Sequence, residues 1–431
     1  MVTMMKIAIV AQPFDILPPR GSSLAIWAQE LAGRLVPRHD VTIHSRETMD
    51  SPVDETRDGI RHRRVSLEAD NTLVYRLRKL ERIASRLFRR DVDLYYRHYY
   101  FARRFHRNYV AKVAATVAAD GADVIVVINF SQFVKSLRQR NPNAKIVLVM
   151  QCDWLIELPR HEIAEVLEEV DAICGCSSYI TGGVAKRFPE HAAKCHTLYN
   201  GSNPDLFRAP DSQEVDLKRQ ELDLQGKKVI TFVGRVTPEK GVHTLVAAMR
   251  EVAKKVPEAV LLVIGGFYAN PPSPRWLSRG DRTPELTAIE TLKPGYRERV
   301  EALAAAAGES VQILGSVSHT ELPLLYAMSE FFVHPSIWNE PFGMILTEAM
   351  GCGKPVISTP TGGIPEVVAD GETGRLVEPN CPEVMGRAII DMLRDDEGRR
   401  RMGERGRQRM LERFTWDNTS RRFDDILATL K

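Results

Sequence analysis

The chain has 431 residues, 44% of them apolar and 27% charged, with a formal net charge of +3. That length exceeds one ordinary hydrophobic core and predicts two domains, and the composition excludes a disordered or fibrous chain. The apolar runs, such as 124–128 and 146–150, are strand-sized and far short of the ~18 residues a membrane span requires. Lys6 and the brief apolar run 7–11 before Pro13 read poorly as a signal peptide. The six cysteines show no CxxC spacing, which predicts free thiols in a reducing cytoplasm and no zinc site.

In chain order, short β-branched runs alternate with amphipathic stretches, the pattern of parallel sheets built from strand–helix–strand units. The fold class is α/β. KIAIVA (6–11) predicts a strand and SSLAIWAQELAGRLV (22–36) a helix capped by Ser22 or Ser23; the runs at 41–45, 123–128 and 145–150 continue the first sheet. A second series follows at 227–234, 259–266, 311–315, 330–335 and 354–359. The turn-rich, charged segment between the series predicts an interdomain connection at 204–226. This gives a first domain over 1–203, completed by 413–431, and a second over 227–412. Two doubly wound domains of this kind bind ligands at the carboxyl ends of their strands, and the sequence predicts a shared cleft. Two long insertions, 66–120 and 267–295, interrupt the pattern.

The second series opens with FVGRVTPEKG, in which Gly234 allows close backbone approach, Arg235 offers a planar fork to phosphate oxygens and Lys240 a point charge. A helix is predicted to begin at Lys240. Read alone, Arg235 and Lys240 are equally two solvated basic residues. Further on, Pro341 and Gly343 forbid a continuous helix between Glu340 and Glu348. Glu340 is therefore predicted on a loop after a strand, and Glu348 inside the following helix. The amides of Phe342, Gly343 and Met344 stand at that helix start, suited to an oxygen-rich ligand. The plain alternative is a pair of surface or capping carboxylates.

GRVTPEKG, PSIWNEPFGMILTEAMGCGKPVISTPTGGIPEVV and DGETGRLVEP closely resemble the retaining GT-B glycosyltransferases of family 4, whose mark is two glutamates separated by seven residues. LYNGSNPDLF (198–207) and RFTWDNTSRRFDDIL (413–427) are similar to that family's linker and to its helix crossing back to the first domain. The resemblance covers nearly all of 195–431 and is looser before it. It implies a nucleotide-diphosphate sugar donor, UDP- or GDP-linked, a hydroxyl acceptor, no cofactor and no metal. By that resemblance Arg235 and Lys240 neutralise the leaving diphosphate, Glu348 takes the ribose hydroxyls and Glu340 those of the transferred sugar. The amides of Phe342, Gly343 and Met344 contact that sugar, and Gly21 brings its backbone to the phosphates.

Two positions depart from the family pattern. Gly21-Ser22 stands where many members carry Gly-Gly. Gln151-Cys152-Asp153-Trp154 stands where many carry a histidine before an acidic residue, so Asp153 is the candidate for that acceptor-side role. The aspartates at 91–93, spaced like a metal pair of the other glycosyltransferase fold, sit in a basic stretch and read as helix surface. Over 71–112 twelve Lys and Arg face three Asp and Glu, interleaved with aromatics. The stretch 73–112 suits a phosphorylated or lipid-linked acceptor, an anionic membrane surface or nucleic acid, or else is a solvated helical face. Outside this stretch no feature suggests nucleic acid. Two other readings keep the same architecture: a nucleotide-sugar epimerase or hydrolase, and a catalytically silent assembly partner. A dinucleotide oxidoreductase is disfavoured, since no GxGxxG follows the strand at 6–11.

Overall fold

The computed structural model describes residues 4–19, 22–88, 106–267, 292 and 295–430, with the side chains at 78, 81, 82, 85, 86 and 88 outside that set. Gly21, the aspartates at 91–93 and residues 268–291 of the second insertion also lie outside the described residues. What is described divides into two compact units. One reaches to Tyr199 and resumes at Thr419; the other runs from Asn200 to Asn418.

The first unit is built on β1 (Lys6–Val10), β2 (Asp40–Arg46), β3 (Asp54–Arg57), β4 (Ile60–Val65), β5 (Val124–Ile128), β6 (Lys145–Met150), β7 (Ala172–Gly175) and β8 (Cys195–Thr197). Its sheet has the order β3-β4-β2-β1-β5-β6-β7-β8 and is parallel except for β3, which runs antiparallel to β4. The second unit holds β9 (Lys228–Val233), β10 (Ala259–Ile264), β11 (Val311–Gly315), β12 (Phe331–His334), β13 (Val356–Ser358) and β14 (Gly374–Leu376) in the all-parallel order β11-β10-β9-β12-β13-β14. Parallel strands covered by helices on both faces read as unbroken apolar runs, and β5, VIVVI, is buried at every residue.

Three features were not legible in the runs. β4, IRHRRV, carries three arginines, so it lacks the apolar signature of a strand. Arg64 is nonetheless buried, because its guanidinium donates to the carbonyls of Pro52 and Leu17 and to Glu55. The helix expected from Lys240 starts later. Pro238–Lys240 form a 3-10 turn, Gly241 takes a left-handed φ of +66°, and the helix is Val242–Lys255. The segment 204–226 contains its own helix, Ser212–Glu221, tied to the second unit where Arg219 donates to the carbonyl of Met328.

The chain order places the sites. In the first unit the connections leave β1 toward β2 and return to β5 on its other side; in the second they leave β9 toward β10 and return to β12. At such a reversal the loops following two neighbouring strands turn away from each other and leave a crevice at the strands' carboxyl ends. The final helix, Trp416–Ala428, begins in the second unit and from Thr419 belongs to the first. There Asp424 accepts hydrogen bonds from Arg38 Nε (2.8 Å) and lies 3.2 Å from His39 Nε2.

Candidate active site

The β9/β12 reversal is where charge collects. Gly234, whose φ of +144° suits glycine, follows β9, and Arg235 comes next with its side chain more than half exposed. Its guanidinium stands 3.8 Å from Glu239, which is itself almost buried. The loop after β9 then touches the loop after β12 backbone to backbone. A Cβ on Gly241 would stand 1.9 Å from the carbonyl oxygen of Pro335, so no other residue fits there without moving a main chain. Ile337 N–H donates to the Glu239 carbonyl at 3.0 Å, and Ser336 Oγ to the same oxygen at 3.3 Å.

Joined in this way, the two loops bring Lys240 Nζ into an ion pair with Glu340 Oε2, both side chains being close to nine-tenths buried. His334, the last residue of β12, places Nε2 3.4 Å from the same oxygen. The His334 ring is fully buried and lies parallel to the rings of Phe232 and Phe332. Burial alone would raise the Glu340 carboxyl, but the Lys240 charge and the His334 hydrogen bond outweigh it and hold it well below the usual range. Burial lowers His334, keeping the imidazole neutral, so it serves Glu340 as an Nε2–H donor.

The Glu340 backbone is held from the other side. Gly363 N–H donates to its carbonyl at 2.7 Å, and Gly362, at φ +59°, would carry a Cβ only 2.3 Å from that oxygen. The glycine pair after β13 is thus a close-packing requirement of the Glu340 loop. Gly343, at φ +84°, turns the chain into the helix Met344–Gly351. Leu346 N–H bonds back to the Gly343 carbonyl at 2.9 Å, and the helix start carries the positive end of its dipole.

Glu348, on the same helix, has other partners. It is buried, with Oε1 3.0 Å from His319 Nε2 and Oε2 at 3.5 Å accepting from Tyr326 Oη. His319 sits on the turn His319–Glu321 beyond β11, its ring edge-on to Phe207. The second unit therefore gathers Arg235, Lys240 and Glu340 on the loops of one strand reversal, and Glu348 one helix turn past Met344. Asp153 belongs to the first unit, where it follows β6 and precedes the helix Trp154–Glu157; Gly21 is outside the described residues. His334, His319 and Tyr326 were not identified from sequence. The hint for His334 was positional, a histidine ending an otherwise apolar strand six residues before Glu340. Among the described residues no three His, Cys, Asp or Glu side chains group as metal ligands, and no helix is long and apolar enough to cross a membrane.

Residues 214–409 match the model of the family described as glycosyl transferases group 1. Spore coat protein SA of Bacillus subtilis is 26% identical over 96% of this chain and 97% of its own length. Sucrose-phosphate synthase from Thermosynechococcus elongatus has a similar structure, with a TM-score of 0.71 and 21% identity over 99% of both chains. Anabaena HepE, solved in complex with UDP-glucose, superposes with a TM-score of 0.68 at 17% identity over 99% of this chain and 100% of that one. The fold is GT-B.

The buried pair makes a direct prediction about stability. Lys240→Ala should lower the unfolding free energy of the second unit by about 3–5 kcal/mol, because it strands the Glu340 charge. The double variant Lys240→Met/Glu340→Gln should recover most of that loss in chemical denaturation. Equal stability of Lys240→Ala and the parent chain would show that the pair is solvated.

Proposed function

We propose that this chain, whose residues 214–409 belong to the glycosyl transferases group 1, transfers a sugar from a nucleoside-diphosphate sugar to a hydroxyl acceptor. Transfer retains the anomeric configuration and needs no metal ion. The observation that carries this reading is the Lys240–Glu340–His334 cluster at the β9/β12 reversal, beside the first-turn amides of Met344–Gly351. Arg235, exposed, and Lys240 take the charge that grows on the departing diphosphate. Glu340, held ionised, accepts hydroxyls of the transferred sugar, and the amides of Phe342, Gly343 and Met344 hold its oxygens. Glu348, its carboxylate oriented by His319 and Tyr326, accepts the ribose hydroxyls. The sugar's C1–O bond to phosphate breaks and a C1–O bond to the acceptor forms on the same face. The leaving phosphate oxygen is then the base nearest the acceptor proton. UDP- and GDP-sugars fit the donor role, and the UDP-glucose complex of a protein with this fold supports that choice. The acceptor belongs to the first unit, with Asp153 on its side.

The two glutamates should separate kinetically. Glu340→Gln should lower turnover more than nucleotide affinity, whereas Glu348→Gln should chiefly weaken donor binding. Arg235→Ala should weaken nucleoside diphosphate binding about 10- to 100-fold, from the loss of a charge-assisted contact worth ~1.5–3 kcal/mol. Small and equal effects in all three, measured by calorimetry and initial rates, would return these residues to ordinary surface roles.

Turnover should persist in EDTA, since fixed cations and amides replace the divalent ion, and NMR of the first-formed product should show the donor's anomeric configuration. Activity that disappears with chelation and returns with magnesium, or an inverted product, overturns this part of the reading.

A peripheral contact is part of the proposal. The helix Glu68–Phe88 exposes Leu73, Leu80 and Leu87 along one line, with Arg76 and Lys79 exposed on the same helix, a pattern suited to an anionic bilayer surface. Sedimentation should show binding to vesicles containing phosphatidylglycerol that weakens as salt is raised. Recovery of the protein in the supernatant at low salt removes the membrane from the account.

A further inference from the structure

The loop that carries Arg235 and Lys240 is fixed unevenly. Lys240 is locked into its ion pair with Glu340. Arg235 is more than half exposed, and its guanidinium leans on Glu239 at 3.8 Å, too far for a hydrogen bond. The turn Pro238–Lys240 leads through Gly241 into the helix Val242–Lys255, and Gly241, as its N-cap, has no side chain to satisfy the first amides. A partner for one of them comes from elsewhere in the chain. Tyr296 Oη accepts from the His243 backbone N–H at 3.3 Å.

Tyr296 is buried and opens the helix Tyr296–Ala307, after Gly295 at φ +64°. Its ring stands edge-on to the His243 ring, 5.6 Å between centroids, and its oxygen also lies 3.1 Å from His243 Nδ1. The far nitrogen, Nε2, is 3.2 Å from Asn380 Oδ1, which also accepts from Thr244 Oγ1 at 3.3 Å. One proton arrangement satisfies every contact: the tyrosine O–H donates to Nδ1, and Nε2–H donates to the Asn380 amide oxygen. That arrangement needs a neutral imidazole, and burial lowers His243 from its ordinary value. Burial raises the Tyr296 phenol, and the charge of Glu239 raises it further. The same carboxylate therefore neighbours both the Arg235 guanidinium and the tyrosine.

We infer that Tyr296, acting through His243, is a positioning residue for Arg235: its hydroxyl caps, from another helix, the helix that follows the loop after β9, and so fixes where the guanidinium stands. A ring alone would fill this part of the core as well; the hydroxyl is what reaches His243 twice. An amide at a helix start needs an acceptor, and an acceptor on a separate segment ties the helix to that segment. Ile337 N–H and Ser336 Oγ hold the Glu239 carbonyl from the loop after β12, and Tyr296 holds the helix start that comes next. Lys240 has its own anchor in Glu340, so the residue that depends on this cap is Arg235. The inference rests on the transferase reading for the role of Arg235 and deepens it, adding a residue that acts through the protein and not on the donor.

Calorimetry of the full chain with UDP and with GDP tests this in Tyr296→Phe, Arg235→Ala, the double variant and Val300→Ala. Val300 is fully buried in the same helix, so its truncation loosens the packing without touching the hydroxyl. Tyr296→Phe should weaken binding of the nucleotide about 5- to 10-fold. Val300→Ala should lower the melting temperature at least as far and leave that affinity unchanged. In the double variant the tyrosine change should add nothing to Arg235→Ala, because its effect passes through that guanidinium. Full additivity, or an equal loss of affinity in Val300→Ala, reduces Tyr296 to a packing residue and overturns the inference. Affinity unchanged in Tyr296→Phe but lowered in Arg235→Ala overturns it too, and spares the transferase reading. If neither nucleotide binds, or Arg235→Ala binds as the parent chain does, the transferase reading falls and this inference falls with it.

Discussion

A glycine against a carbonyl oxygen underlies the charged site. Because Gly241 has no Cβ, the loop after β9 can lie on Pro335 of the loop after β12, and the two are stitched together through the Glu239 carbonyl. Only with these backbones in contact can a lysine at 240 and a glutamate at 340 form an ion pair across a hundred residues of chain. The ion pair in turn lets a carboxylate stay charged where burial would otherwise neutralise it. His334, Gly362 and Gly363 then limit where that carboxylate can go, from the strand on one side and the turn after β13 on the other.

Both units use the same architectural opportunity with different chemistry. A doubly wound sheet leaves a crevice wherever its strand order reverses, and each sheet here reverses once beside its first strand. In the second unit the crevice is furnished with an ion pair, an exposed guanidinium and a helix start, a set suited to negative oxygen. In the first, the rings of Phe14, Phe130, Phe133 and Trp154 follow three neighbouring strands. The division of labour lies in the side chains of the loops, since the strands beneath are in both cases β-branched and buried.

The burial of charge in the second unit has a structural consequence. Paired charges in a low-dielectric setting contribute little net stability, and are strongly destabilising once one partner is lost. Their value is positional: a buried pair with a third hydrogen-bond donor has one arrangement, whereas an apolar replacement would pack well and present nothing to a ligand. Glu348 is held in the same way, as His319 and Tyr326 take one oxygen each and fix its orientation.

How much of this could be read without a structure depended on whether the signal was local. Apolar runs such as 124–128 in the first series and 259–266 in the second announced two parallel sheets, because a strand buried on both faces must be apolar throughout. Pro341 and Gly343 were enough to put Glu340 on a loop and Glu348 on a helix, since neither residue permits a continuous helix there. The spacing of Arg235, Lys240, Glu340 and Glu348 carried the family resemblance for the same reason. β4 was missed because its buried arginine, Arg64, is satisfied by partners at Leu17, Pro52 and Glu55, and Arg61 and Arg63 pair with Asp54 and Asp120, none of which the strand itself reveals. The helix after Lys240 was placed too early because only the contact with Pro335 requires Gly241 to turn left-handed. The pairing of Lys240 with Glu340 and the approach of His334 and His319 were likewise beyond the sequence. They depend on which strands become neighbours, and adjacency in a sheet is decided by the packing of the whole chain, not by any segment's own pattern.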